Sequence, residues 1–277
     1  MLIKCAKCGL YIRPGVTCFC GFSLLKQNIF LTMPLPQPQL SSITSAARYA
    51  KQAPEGTQSE IIYEGIWGQL REEALGGSTS AMCDLNNKLR NRGHISEANM
   101  WLRMAAEYGD AHAQLLYGHL FDMGDDVEQD FAEAGKWYRL ASKQGNPNAS
   151  WHLGNLYWQE NGEGQGKNFD EAVKWFLLAA RQAEQNEEQT LDKALGLFDL
   201  GVMYMDFEGH EPDPDTALKY FLLAAERGDV TSQSMLGDMY SAGDEIPKNL
   251  DEARRWYSIA SENGDSDAQK RLEELGG

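Results

Sequence analysis

The sequence predicts an all-α protein, a right-handed α-solenoid of stacked helical hairpins, preceded by a small cysteine-rich module. Three observations carry this prediction: a phrase that recurs five times, a second that recurs four times in register with it, and four cysteines within sixteen residues. The first phrase is an alanine, an aromatic three residues on, and a second alanine one turn later. It reads Ala98-Trp101-Ala105, Ala134-Trp137-Ala141, Ala172-Trp175-Ala179, Ala217-Tyr220-Ala224 and Ala253-Trp256-Ala260, with the first alanines 36, 38, 45 and 36 residues apart. Spacings of i, i+3 and i+7, with a further apolar residue at i+4 (Leu102, Tyr138, Phe176, Phe221, Tyr257), put these side chains on one helical stripe. Each is the second helix of a repeated pair.

Four of these helices run into a glycine, Gly109, Gly145, Gly228 or Gly264, at the position where a left-handed residue closes a helix. The third has Ala183 there and continues through polar Gln182 to Gln189. That predicts a longer helix or an inserted turn where the spacing stretches to 45.

The second phrase precedes four of the second helices: Tyr117-Gly118-x-x-Phe121, Leu153-Gly154-x-x-Tyr157, Leu200-Gly201-x-x-Tyr204 and Leu236-Gly237-x-x-Tyr240. A small residue stands four positions earlier in each, Ala113, Ala149, Gly196 and Ser232. Glycine inside a helix costs about 1 kcal/mol relative to alanine, so its use at four equivalent places requires a compensating close approach of a neighbour. A hairpin of about 36 residues does not bury both stripes alone, and serial stacking follows.

These phrases resemble the Sel-one-like repeat family, relatives of the tetratricopeptide repeats. The resemblance covers residues 78–277: a degenerate first unit from Ser78 to Asp110, four full units from Ala111 to Asp265, and a half-unit cap from Ser266. It implies an adaptor that holds protein complexes together, binding rather than catalysing. The chain departs from the secreted, disulfide-bridged members because its repeats lack paired cysteines.

Forty-one acidic and 25 basic side chains give a net charge of −16 over 277 residues. No run approaches the roughly 18 uninterrupted apolar residues of a membrane span, which excludes a channel or transporter. Residues 1–40 hold Lys4, Lys7, Arg13 and Lys26 with no acid, so the remaining chain carries 21 basic against 41 acidic residues, a net −20. The start of the chain lacks a secretory pattern, because its apolar stretch is broken by Lys26, Gln27 and Asn28. A cytoplasmic protein is expected. Pro34, Pro36 and Pro38 make residues 31–40 an extended linker between the basic and acidic parts. Beyond it, Ser42 to Gln52 and Ser59 to Leu75 read as helices, so that residues 41–77 cap the repeats of residues 78–277.

Within residues 1–30, Cys5-x-x-Cys8-Gly9 and Cys18-x-Cys20-Gly21 place thiolates on tight turns. Four thiolates suit tetrahedral zinc, and so short a segment has too little core to fold without such a staple. A zinc-ribbon-like knuckle with Cys5, Cys8, Cys18 and Cys20 as ligands is expected. The second pair departs from the usual spacing by one residue; a redox dithiol or a thiol-rich tail is the alternative. The four basic residues with Tyr11, Phe19 and Phe22 would allow nucleic-acid contact through residues 1–40. Docking on the acidic part or on a partner protein is the simpler reading.

At 100° per residue, positions −5, −2, +2 and +5 from the Leu of Leu-Gly lie opposite that buried side chain. They should line the concave surface: His112, Leu115, His119 and Asp122; Asn148, Trp151, Asn155 and Trp158; Leu195, Phe198, Val202 and Met205; Thr231, Ser234, Asp238 and Ser241. Trp151 and Trp158 lie two turns apart on one face as binding anchors, with Asn155 between them to clamp a peptide backbone, Phe198 on the next unit, and His112 and His119 on the preceding one. The opposing reading is that both tryptophans pack against neighbouring hairpins. The acidic loops at Asp122 to Asp130 and Glu208 to Asp215 lack a calcium-loop pattern and are read as solvated, attracting a basic partner.

No catalytic constellation emerges: His94, His112, His119, His152 and His210 are scattered, with no zinc-protease helix, phosphate loop or nucleophile turn. Cys83 stands alone on the first helix of the degenerate unit. The expectation is a non-enzymatic adaptor that binds a partner segment in its groove. Alternatives are an inhibitor or immunity protein that covers a basic toxin with its acidic surface, and a nucleic-acid-associated regulator acting through the knuckle.

Overall fold

The computed structural model describes residues 3–4, 11–12, 67–159, 167–185 and 194–276, in two compact units, Met1–Tyr108 and Gly109–Gly277. In the first unit, strands β1 (Ile3–Lys4) and β2 (Tyr11–Ile12) pair antiparallel with Ile3 opposite Ile12 and Lys4 opposite Tyr11. Three helices follow: α1 (Gly68–Leu75), α2 (Thr79–Arg90) and α3 (Ile95–Glu107). α1 packs on α2, and α2 pairs with α3 as a hairpin. The expected helix at 42–52 and the first part of the one at 59–75 lie outside the described residues, as do Cys5, Cys8, Cys18, Cys20 and the linker.

The second unit is helical throughout its described residues: α4 (Ala111–Met123), α5 (Phe131–Lys143), α6 (Pro147–Trp158), α7 (Phe169–Gln185), α8 (Leu197–Met205), α9 (Pro214–Glu226), α10 (Val230–Ala242), α11 (Leu250–Glu262) and α12 (Ser266–Gly276). Within this unit each consecutive pair of helices from α4 to α12 packs together, so the hairpins stack in series as an α-solenoid. The helices start where a short polar side chain takes up an orphan backbone N–H. Asp110 accepts from Ala113 N at 2.8 Å, Asp130 from Glu133 N at 2.9 Å, Asn146 from Ala149 N at 3.0 Å and Asp213 from Thr216 N at 3.0 Å. Inside each hairpin the loop is closed by one recurring bond. Asp130, Asn168, Asp213 and Asn249 donate their backbone N–H to the carbonyls of Phe121, Tyr157, Tyr204 and Tyr240 at 2.8–3.0 Å.

The glycine of the second phrase receives the i+4 residue of the first phrase's helix. A Cβ at Gly154 would lie 2.6 Å from the Phe176 ring, and Gly118, Gly201 and Gly237 meet Tyr138, Phe221 and Tyr257 in the same way. All four rings are essentially buried. In the degenerate hairpin both partners change together: Asn86 stands in the glycine place, Leu102 in the aromatic place. The Asn86 amide then fills the space and donates to the Ala98 carbonyl at 2.9 Å.

The missing stop at Ala183 lets α7 run 17 residues, against 13 for the other second helices of this unit. The following α8 is only nine residues long, and Gly196 before it is left-handed (φ 79°) rather than helical. Leu195 therefore precedes the helix on which the concave face was expected to carry it. Junctions between hairpins are sealed by buried polar groups. Ser142 Oγ and Ser150 Oγ are 2.6 Å apart, Ser150 donates to Gln182 Oε1 at 2.5 Å, and Gln182 donates to the Ser142 carbonyl at 2.9 Å.

Candidate functional site

The face of the first helices that points away from their hairpin partners is the candidate site, and in the second unit it is built by α4, α6, α8, α10 and the capping α12. Trp151 and Trp158 are both half-buried, packed at the margin of the core around Phe176. Trp158 meets Phe176 edge-on, with ring centroids 6.2 Å apart. Trp151 is fixed across the repeat junction, its indole N–H donating to Asp199 Oδ2 at 2.7 Å. Each ring thus packs on a neighbour and stays partly exposed.

Asn155 is half-buried, and its amide donates to the Trp151 carbonyl at 3.3 Å. Phe198 is also half-buried, 5.8 Å from Phe221 between ring centroids. His112 is exposed in the first turn of α4, whereas His119, two turns on, sits 5.5 Å from the His152 ring of the next repeat. Leu115 and Ser234, expected to line the face, are buried. Ser234 is turned toward Asp265 at the junction with α12, its hydroxyl donating to that carboxylate.

Two junctions carry the same clasp. At the first, His152 stacks on Tyr138 at 4.7 Å, the Tyr138 hydroxyl donates to Asp122 Oδ2 at 2.8 Å, and His152 Nδ1 lies 3.7 Å from that oxygen, an ion-pair rather than a hydrogen-bond distance. At the last, Arg271 lies over Tyr257 with its guanidinium carbon 6.0 Å from the ring centroid. The Tyr257 hydroxyl donates to Asp238 Oδ1 at 2.6 Å, and Arg271 Nη1 reaches both Asp238 oxygens at 2.6 Å. Burial pushes the Asp122 carboxyl up, but its contacts with His152 and Tyr138 outweigh that and hold it below the usual carboxylate range. Burial, and then the Asp122 charge, push the Tyr138 hydroxyl far up, so it stays a donor. Between the two clasps the second-helix partner is phenylalanine, Phe176 or Phe221, and the face carries Trp151, Trp158 and Phe198 beside the polar Asn155 and Asp199. The cavity beside the last clasp, about 360 Å³, is lined by Asp238, Ser241, Tyr257, Arg271, Glu274 and Leu275.

His152, Asp199 and Arg271 were not among the expected site residues. All three stand one position before the Leu of the second phrase or its equivalent, at the edge of the helix facing the preceding repeat. Among the described residues no cluster of three or more His, Cys, Asp or Glu side chains is arranged to hold a metal ion, and no helix is long and apolar enough to cross a membrane.

With this geometry in place, comparison with known proteins is direct. The Sel1 repeat profile matches residues 95–110, 111–146, 147–184, 194–229 and 230–265, more than half of the chain; the last four matches each span one hairpin, and the first covers α3 alone. The chain belongs to the Sel1 repeat family. A Sel1 repeat protein from Oxalobacter formigenes is 27% identical, with a TM-score of 0.57 over 72% of this chain and 78% of that one. The protein c5321, a protective antigen present in uropathogenic Escherichia coli strains and displaying an SLR fold, is 31% identical, with a TM-score of 0.62 over 75% of this chain and 43% of its own. The immunity protein Pa5087 of Pseudomonas aeruginosa is 17% identical with a TM-score of 0.43, too distant for its role to bear on this chain. Among curated proteins none matches.

Proposed function

We propose that this Sel1 protein is a non-enzymatic adaptor that holds a segment of a partner protein on its first-helix face. The segment lies across Trp151, Asn155, Trp158 and Phe198, with His112 and His119 toward one end. Sel1 repeats generally serve protein–protein interaction, which supports the class of function. One observation supports the place: Trp151 is partly exposed, pinned by Asp199 in the adjoining repeat, and two turns from Trp158. A large ring held in one orientation before binding loses little entropy on contact.

Residues 1–30 are proposed as a second, zinc-stabilised module with Cys5, Cys8, Cys18 and Cys20 as ligands. The described β1–β2 pairing supports this, because it brackets residues 5–10, which include the first cysteine pair.

The test is affinity capture from the source cell with the full-length chain and with Trp151→Ala/Trp158→Ala as parallel baits. A stoichiometric protein held by the first and lost by the second, at unchanged circular dichroism, is the expected result. Equal capture by both baits overturns the assignment of the face.

A further inference from the structure

In the four full hairpins of the second unit, the helical lysines and arginines all lie on the second helices, which carry carboxylates as well. α4, α6, α8 and α10 contain no lysine or arginine, and they carry three carboxylates, Asp122, Asp199 and Asp238. Their hairpin partners α5, α7, α9 and α11 carry eight Lys or Arg side chains. The cation that reaches the first-helix face from α12 is Arg271, and both Asp238 oxygens already engage it. Glu274 adds a further carboxylate at that end. Along the face the order is therefore a carboxylate at the first clasp, a mainly apolar stretch through Trp151, Trp158, Phe198, Val202 and Met205 in which Asp199 is bonded to the Trp151 indole, and carboxylates again at the last clasp.

From this distribution we infer that the occupant of the face is a segment with a short apolar centre and lysine or arginine on both flanks. The inference rests on the proposed groove function and adds the chemistry of the partner. The apolar centre takes up the half-buried Trp151, Trp158 and Phe198. The flanking cations meet carboxylates on helices α4, α8 and α10, which like α6 contain no lysine or arginine. Acidic segments are rejected by the same arrangement, because they would bring like charge to Asp122, Asp199 and Asp238.

The test uses the full-length protein and three fluorescein-labelled peptides that share a central Leu-Phe-Leu-Phe and differ in their flanks: two lysines, two serines or two glutamates on each side. Fluorescence anisotropy at low and at 0.5 M salt, roughly 30 Å and 4 Å of screening length, gives the affinities. The lysine-flanked peptide is expected to bind at least about tenfold tighter than the serine-flanked one at low salt, with the glutamate-flanked peptide weaker than both. That advantage should shrink at high salt. Glu274→Gln should reduce the lysine advantage while leaving the serine-flanked affinity in place. Trp151→Ala/Trp158→Ala should abolish binding of all three.

Equal affinities that still depend on the tryptophans overturn the charge inference and leave the groove reading standing. A lysine preference that survives loss of both tryptophans overturns it by placing the cation site elsewhere, for example on the acidic loops. Absence of binding by every peptide overturns it together with the groove reading.

Discussion

Replacing Gly154 by alanine adds one methyl group at the tightest point of a hairpin. The new Cβ would lie 2.6 Å from Phe176 Cδ1 and Cε1 and 2.9 Å from Cγ, where ordinary contact begins near 3.4 Å. The ring must retreat by roughly 0.8 Å, and Phe176 is fully buried beside Leu197, Leu200 and Met203. Overpacking of this kind costs about 1–3 kcal/mol, and three ring carbons in overlap place it in the upper part of that range. Against it stands about 1 kcal/mol gained by removing glycine from a helix interior. The net expectation is a loss of about 1–2 kcal/mol, or a melting temperature lowered by about 2–8 °C for a unit of this size. Circular dichroism at 222 nm during thermal and urea unfolding measures it. Amide exchange locates it, since stacked repeats need not unfold as one.

The decisive partner is Phe176→Leu. Alone it costs about 1–2 kcal/mol through a cavity, but combined with Gly154→Ala it gives the new methyl the space that Leu102 gives Asn86 in the first hairpin. The double variant should be more stable than the sum of the singles by about 2 kcal/mol. An unchanged or raised stability for Gly154→Ala, or strict additivity of the pair, refutes the account of the repeated glycine.

Three further outcomes are expected. Gln182→Leu leaves the Ser150 hydroxyl and the Ser142 carbonyl without their buried amide partner, which should cost about 1–3 kcal/mol in urea unfolding; a loss below about 0.5 kcal/mol would mean that water takes its place. The depressed Asp122 carboxyl contributes stability that is present above its unfolded-state value and lost as pH falls through its lower folded-state value, below about pH 4. Tyr138→Phe removes one of the contacts that depress it, so acid unfolding should become shallower in that window, and identical slopes would contradict the assignment. Full-length protein should retain one zinc per chain by mass spectrometric metal analysis, and Cys8→Ser with Cys20→Ser should release it; a protein purified in zinc-supplemented medium without bound metal would remove the knuckle from the proposal.

The hairpins were legible because each element is written on its own stripe. Ala134, Tyr138 and Ala141 share one helical face whatever surrounds them, and Gly145 stops the helix by its own backbone preference, with φ at 86°. The absent stop at Ala183 was likewise readable, and α7 extends accordingly. What escaped notice depends on register between helices. His152, Asp199 and Arg271 lie at a helix edge that single-helix arithmetic assigns to neither core nor groove, and they find Tyr138, Trp151 and Asp238 only once the next hairpin is in place. The same holds for Leu115 and Ser234, whose outward angle is covered by an adjoining repeat. Gly196 matched the small-residue phrase by spacing, yet its left-handed backbone starts the helix one residue later. The capping residues Asp110, Asp130 and Asn146 were present in the sequence as the ordinary signal of a helix start.

The paired change of Asn86 with Leu102, where the other hairpins keep glycine with an aromatic, has a consequence for how such arrays exchange parts. A crossover falling between the two helices of a hairpin would join an asparagine amide to a phenylalanine ring in one product and a glycine to a leucine in the other, one overfilled and one hollow. A crossover in the short turn after Gly109, Gly145 or Gly228 transfers both partners together and leaves every such contact matched. Duplication or recombination of these modules is therefore tolerated with the hairpin as the inherited block, cut at the glycine that follows its second helix.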